Sequence, residues 1–258
     1  MTAQEWDLTY QFGDPVWDEP PTATLARLLT RHAPPPAEVI DVGCGLGATS
    51  RWLAEHGYQV TGCDFSSQAI ELARARIPET PAVRFAIADV MRVPPQLGQF
   101  PVVLERGVLH AIPQTTDRRR FVEAMARVCL TGGLWVHVGA SATTLEAERC
   151  VARGPSRMAE QTFLTLVEPY FTVLAIDYAP FGSRSATWQA RHAVLRCQAP
   201  PDQPSPEPRP PRESTTAPPQ SAPASSSAPA ALPPSQKAAS RPFPAGLSPT
   251  PTSPRSAV

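Results

Sequence analysis

The chain has 258 residues, and its 23 basic and 23 acidic side chains leave a formal net charge of +0. That balance gives no electrostatic footprint for nucleic acid, no apolar stretch approaches the ~20 residues of a membrane span, and the polar, acidic N-terminus lacks signal-peptide organisation. A cytoplasmic protein is expected, and the 5 cysteines (Cys44, Cys63, Cys129, Cys150 and Cys197) are too scattered for a disulfide framework or a zinc site, so no metal is expected.

The segment Phe12-Gly13-Asp14-Pro15-Val16-Trp17-Asp18-Glu19-Pro20-Pro21 leads into an amphipathic helix from Pro21 to His32, with Leu25, Leu28 and Leu29 on one face. Residues 1–36 read as a cap ahead of the first strand. Val39-Ile40-Asp41-Val42 is that strand, and Gly43-Cys44-Gly45-Leu46-Gly47-Ala48 follows it, with a helix from Leu46 to His56. Glycines at such a turn let backbone pass close to a ligand where any Cβ would collide.

The spacing Gly43-x-Gly45-x-x-Ala48 satisfies a dinucleotide fingerprint, so the glycines do not choose the ligand. Asp41 does more. A pyrophosphate seeks helix-end amides and is repelled by a nearby carboxylate, whereas that carboxylate suits the ammonium and sulfonium of S-adenosylmethionine (SAM). The plainer reading of Asp41 is an acid that satisfies turn amides.

Tyr58 to Cys63 reads as the second strand and ends on Asp64-Phe65-Ser66. An acid about twenty residues after the glycines binds both ribose hydroxyls of a nucleoside, in NAD and SAM alike. Ser66 and Ser67 also open a helical pattern from Gln68 to Arg76, so capping is a second role for this corner. Ala82 to Ala88 is the third strand and runs into Asp89-Val90-Met91. Three acids thus stand at three strand ends, on the edge of a parallel sheet where ligands bind.

Val102-Val103-Leu104 is the fourth strand, followed by Glu105-Arg106-Gly107-Val108-Leu109-His110-Ala111-Ile112-Pro113. A helix from Asp117 to Cys129 is expected, with Asp117 as N-cap and Phe121, Val122, Met125 and Val128 inward. Gly132-Gly133 leads into the fifth strand, Leu134 to Val138; Ser156 to Pro169 is the last main helix, and Thr172–Tyr178 and His192–Cys197 are a closing pair of strands. Strands alternating with helices imply a parallel sheet with right-handed crossovers. From Ala199 to Val258 the chain is Pro, Ser, Ala and Thr with few aromatics. Such a segment buries too little apolar area to offset its ordering entropy, so residues 199–258 are expected to be a disordered tail and 1–198 the folded domain.

Over nearly its whole length this domain resembles class I SAM-dependent methyltransferases. Asp41-Val42-Gly43-Cys44-Gly45-Leu46-Gly47 is similar to that family's first motif, and Asp64 and Asp89 fall at its ribose and adenine positions. The resemblance implies a Rossmann-like sheet of seven strands, mostly parallel and flanked by helices, with the last strand antiparallel. It implies SAM as cofactor, held by Asp41, Gly43, Cys44, Gly45, Asp64, Phe65, Asp89 and Val90. The segments around Trp17 and Glu105-Arg106-Gly107 resemble a narrower branch, the thiopurine and thiol S-methyltransferases with the halide and tellurite enzymes. That branch has an Asp-Arg-Gly motif after strand four, where this chain has Glu105 in place of Asp.

On this resemblance Trp17 covers the cofactor, Glu105 reaches toward it, Arg106 holds an anionic or electron-rich acceptor, and His110 takes the acceptor's proton. Structural roles compete: a core or lid tryptophan, an arginine paired with Glu105 or a helix end, a satisfied histidine. The expected reaction is in-line transfer of the sulfonium methyl to a small molecule. A soft acceptor (thiol, selenium or tellurium oxyanion, halide) needs no strong base; an O- or N-methyltransferase of secondary metabolism needs more. An NAD(P)-binding oxidoreductase and a non-catalytic SAM-binding scaffold are the rivals. No obligate partner surface is legible, so a monomer is expected.

Overall fold

The computed structural model describes residues 2–13, 15–92, 97–149, 156–182 and 188–199. The chain divides into two units, residues 1–207 and 208–258. The second unit, and all of the expected tail except Ala199, lie outside the described residues.

Strands β1 (Glu38–Val42), β2 (Gln59–Asp64), β3 (Val83–Ile87), β4 (Phe100–Arg106) and β5 (Cys129–Ala142) run parallel, joined by helices α3 (Ala48–Glu55), α4 (Ser67–Arg76) and α5 (Thr115–Val128). After β5 come α6 (Leu145–Arg149), the two-residue β6 (Met158–Ala159), α7 (Glu160–Val167), β7 (Phe171–Pro180) and β8 (Gln189–Cys197). The order across the sheet is β3-β2-β1-β4-β5-β8-β7, with β6 paired to the end of β5. The final strand is antiparallel to both of its neighbours, as expected. The order reverses between β1 and β4, and the crevice there is where open α/β sheets bind ligands.

Both faces of the sheet are covered, so its strands are apolar on both sides. One core lies under α5 and α7 and takes Ile40, Val103, Trp135, Phe163 and Leu195. The other lies under α2 (Ala23–His32), α3 and α4 and takes Leu25, Leu29, Val39, Leu104, Val136 and Val194. Alternation along β4 and β5 therefore sends Glu105 and His137 to the first face and Arg106 to the second, the face of Asp41.

Four elements differ from expectation. Residues Ala3–Phe12 form a helix, α1, with a capping box in which Thr2 and Glu5 bond each other's backbone amides. Helix α5 begins at Thr115 with Gln114 as its N-cap residue, so Asp117 sits inside the first turn, where its charge favours the helix dipole. The expected helix from Ser156 begins only at Glu160, because Met158 and Ala159 add to the end of β5. Strand β5 continues through Ala142, well past Val138, because β8 pairs with it as far as Ala140. Cys129, at the start of β5, and Cys197, at the end of β8, are buried free thiols.

The inner strands are packed to contact. A Cβ on Gly62 would lie 2.7 Å from the Phe85 ring and 2.9 Å from Ser50 Oγ. Gly62→Ala is therefore expected to destabilise the fold by ~1–3 kcal/mol through overpacking, read as a lower urea midpoint with an unchanged m-value.

Candidate active site

The site is built at the carboxyl ends of β1, β2 and β4. After β1 the backbone takes left-handed turns at Gly43 (φ 67°), Gly45 (φ 55°) and Gly47 (φ 84°). These conformations favour glycine, and a Cβ on Gly43 would overlap Val108, while one on Gly45 would come 2.9 Å from the Tyr10 hydroxyl. An open cleft of about 340 Å³, counted to its mouth, lies over this turn and is lined by Trp17, Asp18, Asp41, Gly43, Gly45 and Arg106 among others.

Asp41 is buried, and its carboxylate accepts the Ser50 hydroxyl at 2.6 Å. Burial raises its pKa from 3.8 to about 7, against the lowering effects of the Ser50 bond and Arg106. It takes part in no ion pair among the described residues. A cationic ligand in the cleft would supply the missing charge, so the residues present fit an ammonium or sulfonium and suit a pyrophosphate poorly.

Asp64 is also buried, and burial raises its pKa. One oxygen accepts Gly45 N–H at 3.0 Å and the other Ser66 N–H at 2.9 Å. It thus locks the glycine turn to the corner after β2. The Ser66 hydroxyl caps α4 through Ala69 N–H and donates to Asp7 of α1 at 2.6 Å. Asp7 also accepts Gln68 N–H, which fastens α1 over the cofactor edge. Phe65 is half-buried beside this corner. Asp89 accepts Met91 N–H at 3.0 Å and pairs with exposed Arg92 at 3.3 Å, while Val90 is buried below it. The Cys44 thiol is held high by burial and by Asp41 and Asp64, so it is no nucleophile.

Trp17 is half-buried and meets Trp6 of α1 edge-on at 5.9 Å; Trp6 in turn stacks on Tyr10. Trp17 thus lines the cleft and is backed by the Trp6 ring of α1.

Three residues have partners that the sequence did not indicate. Arg106 donates to the carbonyls of Trp17 (3.1 Å), Glu19 (2.9 Å) and Phe181 (3.4 Å), pairs with Glu19 at 3.7 Å, and lies over the Phe181 ring. It ties the N-terminal segment to the loop after β7, while its Nε has no partner and the residue lines the cleft. Glu105 is fully buried on the other face and does not line the cofactor cleft. It accepts Val108 N–H at 3.0 Å and Leu109 N–H at 3.4 Å, and its other oxygen bonds His137 Nδ1. His110 receives Ala140 N–H on Nδ1 at 2.8 Å. That bond places the ring proton on Nε2, and burial with His137, Arg118 and Arg106 nearby lowers the pKa to about 3. His110 is a neutral donor and not the base. It packs beside the stacked pair Phe181 and Trp188.

Sequence reasoning missed His137. Its only signal is a histidine in an otherwise apolar strand, Leu134-Trp135-Val136-His137-Val138. Among the described residues no group of three or more His, Cys, Asp or Glu side chains is placed to hold a metal, and no helix is long and apolar enough to cross a membrane.

Residues 39–133 match the methyltransferase domain family. The chain is 36% identical over 104 residues to 2-methyl-6-phytyl-1,4-hydroquinone methyltransferase of Synechocystis, a match that covers 40% of this chain and 32% of that protein. It is 26% identical over 138 residues to 2-heptyl-1-hydroxyquinolin-4(1H)-one methyltransferase of Mycobacteroides abscessus, covering 53% of this chain and 59% of the relative. The chain thus spans about a third and three fifths of the length of these curated relatives. Its fold is similar to that of 1,6-didemethyltoxoflavin-N1-methyltransferase of Burkholderia thailandensis, solved with 1,6-didemethyltoxoflavin and S-adenosylhomocysteine. That likeness has a TM-score of 0.61 at 19% identity, over 76% of this chain and 87% of that one.

Proposed function

We propose that this chain, which carries a class I SAM-dependent methyltransferase domain, transfers the methyl group of S-adenosylmethionine to a small-molecule acceptor. The observation that carries this reading is the buried, unpaired Asp41 carboxylate facing the glycine turn, with Asp64 and Asp89 at the next two strand ends. When bound there, the sulfonium supplies an electrophilic methyl, and positioning supplies most of the remaining rate gain.

The chain's own residues then have distinct tasks. Asp41 and the glycine turn receive the charged methionine end. Asp64 keeps that turn and the α4 corner rigid, with the ribose hydroxyls beside it. Asp89 and Val90 flank the adenine. Trp17 excludes water from one side of the cleft, and His110 packs with the stacked rings of Phe181 and Trp188.

The acceptor atom is the finer question. A thiol or another soft nucleophile needs no base, and His110 does not provide one. The printed names of the two curated relatives, a hydroquinone and a hydroxyquinolone methyltransferase, favour a hydroxyl instead. Calorimetry with SAM tests the cofactor reading: Asp64→Ala is expected to weaken binding at least several-fold, by loosening the turn and removing the ribose acceptor. Unchanged affinity would remove Asp64 from the site.

A further inference from the structure

We infer that Arg106, with the open N-terminus of α3, holds the carboxylate of the donor's amino-acid head while Asp41 takes its ammonium, so that the cleft selects its donor by the whole zwitterion. The inference rests on the methyltransferase reading and deepens it, and it gives Arg106 to the donor instead of the acceptor. Arg106 and Asp41 line the same cleft, together with Ala48 and Thr49 at the start of α3. Strands β1 and β4 pair with Asp41 opposite Leu104. Arg106, two positions further along β4, therefore stands on the same face, one step nearer the carboxyl rim.

The guanidinium is fixed in place and incompletely used. Its side chain is only 7% exposed. Nη1 donates to the carbonyls of Trp17 and Glu19. Nη2 reaches the Phe181 carbonyl at 3.4 Å and the Glu19 carboxylate only at 3.7 Å, and Nε has no partner. These ties keep the group from swinging away from the cleft. Nε and Nη2 form the edge of a guanidinium that meets a carboxylate through two parallel bonds. A buried donor without a partner is unfavourable, and a carboxylate entering the cleft supplies the acceptor that bulk water does not.

The helix makes the second contribution. α3 begins after the left-handed Gly47, and no side chain caps it. Its first amide bonded within the helix is that of Arg51, to the Gly47 carbonyl, and among the described residues nothing accepts the Ala48 or Thr49 amide. Free amides and the helix dipole both favour an anion at this end. Asp41 stands beside it and takes the Ser50 hydroxyl. The charges of Asp41 and Arg106 act on each other, yet the two form no ion pair among the described residues. Asp18, also at the cleft, is already held by Arg76 at 2.8 Å. An unpaired acid and a part-used guanidinium on one wall fit a zwitterion, whose ammonium goes to the first and whose carboxylate goes to the second. A phosphate would bring its charge against Asp41, and an amine with no carboxylate would leave the guanidinium edge unfilled.

The head of the donor is then anchored at two points on regular elements, β4 and α3, and a donor that lacks the carboxylate loses one of them. The cleft therefore selects against decarboxylated SAM, which carries the same nucleoside, the same sulfonium and the same amine. The extra net positive charge of that analogue would otherwise favour it beside Asp41.

The test uses the full chain and calorimetry with SAM and decarboxylated SAM, two probes that differ only in the carboxylate. Wild type should bind the decarboxylated probe ~10-fold or more weakly than SAM. Arg106→Met should bring the two affinities together. Loosening of the N-terminal segment alone would weaken both by the same factor and leave their ratio as it was. A second readout needs only wild type, should the variant not fold: in ¹⁵N–¹H spectra the Arg106 Nε–H resonance should shift on adding SAM and stay in place with the decarboxylated probe. Equal wild-type affinities, an unchanged ratio in the folded variant, or an Nε–H resonance indifferent to the carboxylate would overturn the inference and leave the SAM reading intact. An unchanged ratio with a raised KM for the acceptor would also overturn it, by returning Arg106 to the acceptor. A wild type that binds neither probe would overturn the SAM reading itself, and the inference with it.

Discussion

Asp41→Asn is expected to stabilise the ligand-free protein above pH 7 and to weaken SAM binding at least tenfold. Burial moves the Asp41 pKa from 3.8 to about 7. Between those values the folded state holds a proton that the unfolded state has released, so stability falls as pH rises through this window and is flat above it. The full cost of the ionised group is on the order of 4 kcal/mol. Asparagine keeps an oxygen for the Ser50 hydroxyl and removes the charge. The difference in unfolding free energy between variant and wild type should therefore grow from pH 4 to pH 7 and then level off. Burial also raises the Asp64 pKa, so some slope of the same sign remains in the variant.

Ligand binding has the opposite demand. A cationic ligand needs the ionised carboxylate, so wild-type affinity for SAM should fall as pH drops below about 7, while the variant stays flat over that range. Loss of a buried charge-assisted contact of ~1.5–3 kcal/mol corresponds to at least tenfold in affinity. Thermal melts and calorimetry across the same pH series check both halves. A variant that melts below wild type at pH 8, or binds SAM as well as wild type does, would contradict the role given to Asp41.

The second large effect belongs to Arg106. Arg106→Met keeps the stem but removes the guanidinium that serves the Trp17, Glu19 and Phe181 carbonyls. Losing the donor of several buried hydrogen bonds costs ~1–3 kcal/mol. The loss should show in urea unfolding, with faster proteolysis near residues 15–19. An Arg106→Met protein as stable as wild type, with its N-terminal segment equally resistant, would mean the tie is a surface contact of no weight.

The succession of strands along the chain and the acids that end three of them are legible in the sequence because they rest on local signals. Val39-Ile40-Asp41 with its glycine turn, and Asp64 and Asp89 after apolar runs, each mark a strand end within ten residues. The surroundings of Glu105 and His110 depend on pairings across the sheet. Glu105 meets His137 only because β4 and β5 pair in that register, 32 residues apart in the chain. The tautomer of His110 is set by the amide of Ala140, again 30 residues away. The partners of Arg106 are backbone carbonyls, which no side-chain pattern announces. Helix α1 has weak amphipathicity and buries only Tyr10, so its capping box was the one sign of it.

The place of β8 has a consequence for synthesis. β7 joins the sheet only through β8, which lies between it and β5. As the nascent chain leaves the ribosome, residues 171–180 emerge with no edge to dock on, and β5 waits with its outer edge bare until residue 197 is free. Exposed strand edges of this kind recruit other chains. The interval before the last strand arrives is therefore the one in which the sheet edge stands open, and a stop codon at the start of β8 would leave β7 without a neighbour and the outer edge of β5 bare for good.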